Sequence, residues 1–204
     1  MSIRVCKLGG SLLDEPNLSV RWQMWLAQQV PMRNVIVVGG GPEVASIRQR
    51  WNAGLIDDLA AHWEAIQEMS VNAKIIQHSI PNSLFCERTE EFEKTAESAQ
   101  KNRTVFLDVL LYLQTADCDF PEGRLPASWD VTSDSIAARV AKFIRANELV
   151  LWKSTSPPKP TTISNAQAAQ FVDSYFNVAA EGLENIRWVN LRNDAREEGW
   201  LQTG

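Results

Sequence analysis

Ile3-Arg4-Val5-Cys6-Lys7-Leu8-Gly9-Gly10-Ser11 reads as a short buried strand that runs into a glycine turn, with a lysine near its end. The arrangement recurs at Val35-Ile36-Val37-Val38, which discharges into Gly39-Gly40-Gly41-Pro42. A helix pattern follows each turn. Glycine lets backbone N–H groups approach a ligand closely, and a helix N-terminus favours negative charge, so each turn is a candidate anion site. Lys7 adds a full positive charge beside the first turn. Two such turns in one sheet predict a phosphate handed across a gap between them.

Outward from these turns, the order of elements is legible. Leu18 to Gln29 carries Leu18, Trp22, Trp25, Leu26 and Val30 at helical spacing, and Pro31 closes that helix. Pro42 stands where a first helical turn tolerates proline, ahead of Val44, Ile47 and Trp51. Asp57-Asp58 opens a long helix through His78, which Pro81 and Asn82 stop. The charged run of residues 87–103 reads as a solvated face. Thr104–Leu107 reads as the third strand, 108–113 as a short helix or turn, and 117–129 as a loop. Thr132–Asn147 is a strong helix with Ile136, Val140 and Ile144 inward; Leu149–Trp152 is a fourth strand, Asn165–Val172 is helical, and Ile186–Leu191 is the last strand. Strands alternating with helices predict an α/β fold, a three-layer α/β/α sandwich around a mainly parallel central sheet. No linker or repeat divides the chain, so residues 1–204 are expected to form a single domain.

Composition narrows the partners. The chain is 45% hydrophobic and 22% charged, as a globular protein is, and its net charge of −5 gives no electrostatic case for nucleic acid. Three scattered cysteines fit neither a disulfide framework nor a zinc knuckle and suit a reducing cytoplasm. No apolar run is long enough to span a membrane. Two distant histidines offer no metal site of protein ligands. The Gly-x4-Gly-Lys-Ser/Thr, Gly-x-Gly-x-x-Gly and Gly-x-Ser-x-Gly strings are absent, which argues against an orthodox P-loop enzyme, a dinucleotide oxidoreductase and an α/β-hydrolase.

In parallel sheets ligands sit beyond the carboxyl ends of the strands. That rule puts Lys7–Ser11, Gly39–Pro42, the turn into Thr132–Ser135, and Lys153-Ser154 on one rim. Asp134 lies in a first helical turn, placed to sit between the ammonium groups of Lys7 and Lys153. Two lysines, glycine amides and a bridging carboxylate suit phosphoryl transfer, which needs charge stabilisation more than covalent chemistry. His62 is a candidate ligand contact on a helix face, and His78 has no constellation around it.

Lys7-Leu8-Gly9-Gly10-Ser11, the Gly39–Gly41 triplet and Trp129-Asp130-Val131-Thr132-Ser133-Asp134-Ser135-Ile136-Ala137 together resemble the amino acid kinase superfamily, the aspartate, glutamate and uridylate kinase group. The ordered strings cover roughly residues 3–155. The resemblance implies ATP with Mg²⁺ as cofactors and a small-molecule acceptor phosphorylated on a carboxylate or phosphate oxygen. By family role, Lys7 and Lys153 would grip the transferring group, and Asp134 would orient them. Gly9 and Gly10 would bind ATP phosphates through backbone N–H groups, with Ser11, Ser133 and Ser154 on the same side. Gly39, Gly40 and Gly41 would hold the acceptor, with His62 on the helix through Asn72-Ala73 that lines its pocket. Relatives usually form homo-oligomers. In its brevity the chain looks most like the small aspartokinase-like proteins of methanofuran and methanopterin biosynthesis, whose characterised members phosphorylate an aminomethylfuran-methyl phosphate. It departs from the family at Lys153-Ser154-Thr155-Ser156-Pro157-Pro158, where an Asp and a Gly are customary. That departure keeps a non-catalytic nucleotide- or anion-binding protein as the alternative.

Overall fold

The computed structural model describes residues 2–87, 104–194 and 196–202. Its strands are β1 (Ile3–Leu8), β2 (Arg33–Val38), β3 (Ser83–Cys86), β4 (Thr104–Leu107), β5 (Glu148–Lys153), β6 (Ile186–Asn190) and β7 (Glu198–Trp200). The helices are α1 (Leu18–Leu26), α2 (Glu43–Asn52), α3 (Asp58–His78), α4 (Val109–Gln114), α5 (Ser133–Phe143), α6 (Ile163–Ala168) and α7 (Phe176–Ala179). The strands form one sheet in the order β3-β4-β2-β1-β5-β6-β7. All neighbours pair in parallel except β6 and β7.

Both faces of the sheet are covered, which is why β1 and β2 are buried at every position without alternation. The period of two nevertheless sorts their side chains. Val5, Val35, Leu149 and Leu151 face a core that includes Ile136, Ala137 and Val140 of α5. Cys6, Leu8, Ile36 and Trp152 face the opposite core, with Leu18, Trp22 and Trp25 of α1. Trp22 and Trp25 lie 5.1 and 5.5 Å from Trp152, ring centre to ring centre. Aromatic contacts of this kind add about 0.5–1.5 kcal/mol each beyond burial, and here they fix α1 against the strand that ends in Lys153.

The chain lays β2, β4 and β3 on one side of β1, then crosses back through α5 to place β5 on the other side. The β1–β5 boundary is therefore a topological switch point, where α/β sheets open a crevice at the carboxyl ends of the strands. Lys7 and Lys153 flank it.

Three elements differ from the sequence-based expectation. Thr104–Leu107 is the fourth strand, because Ser83–Cys86 already forms an edge strand beside it. Glu198–Trp200 adds an antiparallel strand after Ile186–Asn190, so the latter is not the last. Phe176–Ala179 forms a short helix whose Phe176 and Ala179 are buried. Ser83–Cys86 and Phe176–Ala179 are four residues long and Glu198–Trp200 is three, so periodicity gave too little signal. Most of the charged run 87–103 lies outside the described residues.

Candidate active site

Lys7 and Lys153 reach one point because each occupies the core-facing register at its strand end, on the face covered by α5. Asp134, the second residue of α5, meets both. The Lys153 Nζ lies 2.8 Å from Asp134 Oδ1 and 2.9 Å from Oδ2, and the Lys7 Nζ lies 3.1 Å from Oδ1. Lys7 and Asp134 are each 5% exposed. One carboxylate thus serves two buried ammonium groups, leaving a net positive charge with N–H donors to spare. Such a centre gains from an added anion.

The titration behaviour follows from this crowding. Burial pushes the Asp134 carboxyl up, but the Lys153 and Lys7 charges more than offset it and hold the group below its usual range. Burial chiefly, aided by the Lys7 charge and opposed by Asp134, lowers Lys153 to about 8. Lys153 also donates to the Phe171 carbonyl and lies 5.0 Å from the centre of the Phe171 ring.

The two glycine turns touch each other; there is no gap between their backbones. A Cβ on Gly10 would stand 2.6 Å from the Gly41 nitrogen, and one on Gly39 would stand 2.6 Å from the Gly10 nitrogen. Gly41 also has φ +67°, the left-handed region that favours glycine. The expected amide donors therefore change. Gly9 N–H is engaged by the Trp152 carbonyl at 2.9 Å and Gly39 N–H by the Leu8 carbonyl at 2.8 Å. Gly10, Ser11, Gly40 and Gly41 keep N–H groups without a backbone acceptor among the described residues. Asn72 of α3 donates to the Gly39 carbonyl at 3.3 Å and fixes that turn.

The other expected contacts divide. Ser11 and Ser154 meet at 2.8 Å between their hydroxyl oxygens, bridging the first turn to the end of β5. Ser133 begins α5 beside Asp134 and is buried. His62 lies elsewhere, in the wall of a cleft of about 400 Å³ between α3 and the segment running from α4 to Val131. The His78 ring bonds to the Lys74 carbonyl of its own helix and, among the described residues, has no further side-chain hydrogen bond.

Two residues had no signal in the sequence. Asp173 closes the N-terminus of α5: its Oδ2 accepts from Thr132 N–H at 2.9 Å, Thr132 Oγ1 at 2.8 Å and Ser135 N–H at 3.0 Å, and its Oδ1 accepts from the Ser135 hydroxyl. Burial and the Asp134 charge raise its pKa, and these bonds oppose the rise. Arg192 donates to the Ser11 carbonyl and to Asp14, each at 2.7 Å, and so ties the loop after β6 to the first turn.

Mg²⁺ would find no protein cage here. Among the described residues no three His, Cys, Asp or Glu side chains cluster. Asp134 is taken by lysines and Asp173 by four donors. An ion carried on phosphate oxygens and water fits this donor set.

The sheet is parallel except for β7, and its switch point carries the paired glycine turns and the Lys–Asp–Lys centre. The amino acid kinase family model matches residues 2–166, and the chain belongs to that family. Solved structures share the fold. Uridylate kinase from Archaeoglobus fulgidus is 22% identical with TM-score 0.51, over 80% of this chain and 71% of its own. UMP kinase from Ureaplasma parvum is 14% identical with TM-score 0.61, over 96% and 92%. UMP kinase from Bacillus anthracis is 11% identical with TM-score 0.62, over 95% and 88%. No curated protein matches the chain significantly.

Proposed function

We propose that this chain is an ATP-dependent small-molecule kinase that transfers the γ-phosphoryl group to a carboxylate or phosphate oxygen. The observation that carries the reading is the buried Lys7–Asp134–Lys153 centre beside the two glycine turns. In this reading the Gly10 and Ser11 amides, with Ser133 and Ser154, bind ATP phosphates, and the Gly40 and Gly41 amides hold the acceptor oxygen side. Lys7 and Lys153 stabilise the charge that develops between them, and Asp134 keeps both aimed. An acceptor that is already an anion needs no protein base. Mg²⁺ would neutralise phosphate charge when bound.

The reading extends to residues 1–204 as one domain, to a cytoplasmic setting suited to three free cysteines, and to assembly as a homo-oligomer. Among acceptors it includes an aminomethylfuran-methyl phosphate of a C1-carrier pathway. The test is ADP release from ATP with Mg²⁺ over a panel of carboxylates, UMP, other phosphomonoesters and that furan. Lys7→Ala should reduce turnover by about 10²–10³-fold while circular dichroism stays native. Unchanged turnover in that variant would sink the assignment.

A second reading is favoured by one feature. The loop that lacks the customary Asp and Gly is tied down by Ser156, which donates to Glu197 and accepts from Asn190. A non-catalytic nucleotide- or anion-binding protein would tolerate such a loop. ATP binding by calorimetry with no ADP formed on any acceptor would favour it.

A further inference from the structure

Arg4, Asn34 and Thr104 stand in one register row across β1, β2 and β4, on the face that α1 covers. Two residues on, the same strands place Cys6, Ile36 and Phe106 side by side as apolar core. The three polar residues are only 2, 5 and 7% exposed, and buried polar groups are costly unless hydrogen-bonded. Arg4 is satisfied in part. Its Nε donates to Glu148 at 2.6 Å, its Nη1 to Asn34 Oδ1 at 3.2 Å, and its Nη2 reaches the Val30 carbonyl only at 3.5 Å. A guanidinium carries five N–H groups, so N–H donors are left over. Asn34 Nδ2 reaches the Met32 carbonyl at 3.4 Å with one of its two hydrogens. The Thr104 hydroxyl has no hydrogen bond among the described residues, and it is not one of the buried polar atoms sealed from solvent. The spare capacity of the row is therefore in donors. Its acceptors are taken: Asn34 Oδ1 by Arg4, and the two Glu148 oxygens by Arg4 and by Arg187 at 2.8 Å.

These three side chains form the polar wall of a cavity of about 230 Å³. Leu26, Ala27, Val30, Pro31 and Met32 make the rest of the lining apolar, and the Gln29 amide among them already donates to the Trp25 carbonyl. A cavity of about 150 Å³ holds benzene, so this one has room for a body of about six or seven non-hydrogen atoms. Two guanidinium groups, those of Arg4 and Arg187, share the buried Glu148, and the second acid nearby, Glu198, reaches only Arg187, at 3.7 Å. Unused donors beside an excess of buried cations call for an anionic acceptor. We propose that this cavity is a second small-molecule site, for a short aliphatic carboxylate whose oxygens accept from Arg4, Asn34 and Thr104 and whose chain lies against Leu26, Val30, Pro31 and Met32. The row sits at the amino ends of its strands, and three residues of β1, about 10 Å, separate Arg4 from Lys7. The site is thus distinct from the phosphoryl-transfer centre and does not depend on the kinase reading.

The test is binding of pentanoate and pentanamide to the full chain without nucleotide, by calorimetry and by NMR of the Arg4 Nε–H and the Asn34 side-chain amide. Pentanoate should bind about five- to tenfold more tightly than pentanamide, because charge-assisted hydrogen bonds are the stronger, and it should shift both resonances. Arg4→Lys keeps a cation for Glu148 but loses the planar fork, and it should erase that preference. If that variant fails to fold, Thr104→Val decides: it keeps the branched shape, removes only the hydroxyl, and should weaken pentanoate about three- to tenfold. Pentanoate no tighter than pentanamide, unchanged pentanoate binding in Thr104→Val, or no pentanoate binding at its solubility limit would overturn the site. The lysine centre is a competing seat for an anion. Pentanoate binding that is lost in Lys7→Ala, with the Arg4 and Asn34 resonances unmoved in the unsubstituted chain, would also overturn it. Because no nucleotide is present, a failed turnover screen removes the kinase reading and leaves this site standing.

Discussion

Lys153 shows how a single residue ties rate and stability to pH in opposite senses. Its ammonium group is wedged among Asp134, the Phe171 carbonyl and the Phe171 ring. Burial, with the Lys7 charge behind it, lowers its pKa from 10.5 to about 8. The folded chain therefore releases this proton first, while the unfolded chain still holds it until the pH nears 10.5. Between those values the unfolded state binds more protons, so the Lys153 contribution to stability rises with pH. The phosphoryl group needs the charged form, so turnover should fall across the same interval. A pH profile of kcat/KM with parallel thermal melts checks both signs. Flat turnover from about pH 7 to 10 would show that the charge of Lys153 is dispensable to transition-state stabilisation.

At the scale of elements, α5 is the part on which the centre depends. Its first turn aims Asp134, and that turn is held by Asp173, a residue 38 to 41 positions away in the chain. Thr132, the N-cap, makes no side-chain cap bond of its own, so the distant carboxylate does the capping. Asp173→Asn keeps an acceptor but loses the charge; it should cost about 1–2 kcal/mol of stability and lower kcat more than the KM for ATP. Melting curves and steady-state kinetics measure the two effects separately, and an unchanged kcat would leave Asp173 as a purely structural cap. The same contact explains what could be read from the sequence. Lys7 and Lys153 were legible because strand ends and glycine turns are local signals, and Asp134 because a first helical turn has its own pattern. Asp173 was not, since its role exists only through a non-local hydrogen-bond set. The engagement of the Gly9 and Gly39 amides was likewise invisible, because it depends on which strands become neighbours.

For the whole molecule, the fold sets the Lys7–Asp134–Lys153 centre at the β1–β5 switch point apart from the cleft on α3. The alternation of strands and helices foretold the parallel sheet, whereas the short edge strands β3 and β7 had too few residues to declare themselves. The layout makes a prediction about linkage that does not require turnover. A ligand that binds only the folded chain at about 100 times its Kd stabilises it by about 2.7 kcal/mol, or about 5–11 °C in Tm for a chain of this size. ATP with Mg²⁺ should produce a shift of that order. Lys7→Ala should lose most of it, because the buried carboxylate then has one cation left to share with the phosphates. His62→Phe should keep it in full, since the cleft lies on α3 and makes no contact with either lysine among the described residues. A His62→Phe chain that folds but no longer responds to ATP would mean that the α3 cleft and the glycine turns are coupled, and their separation would have to be abandoned.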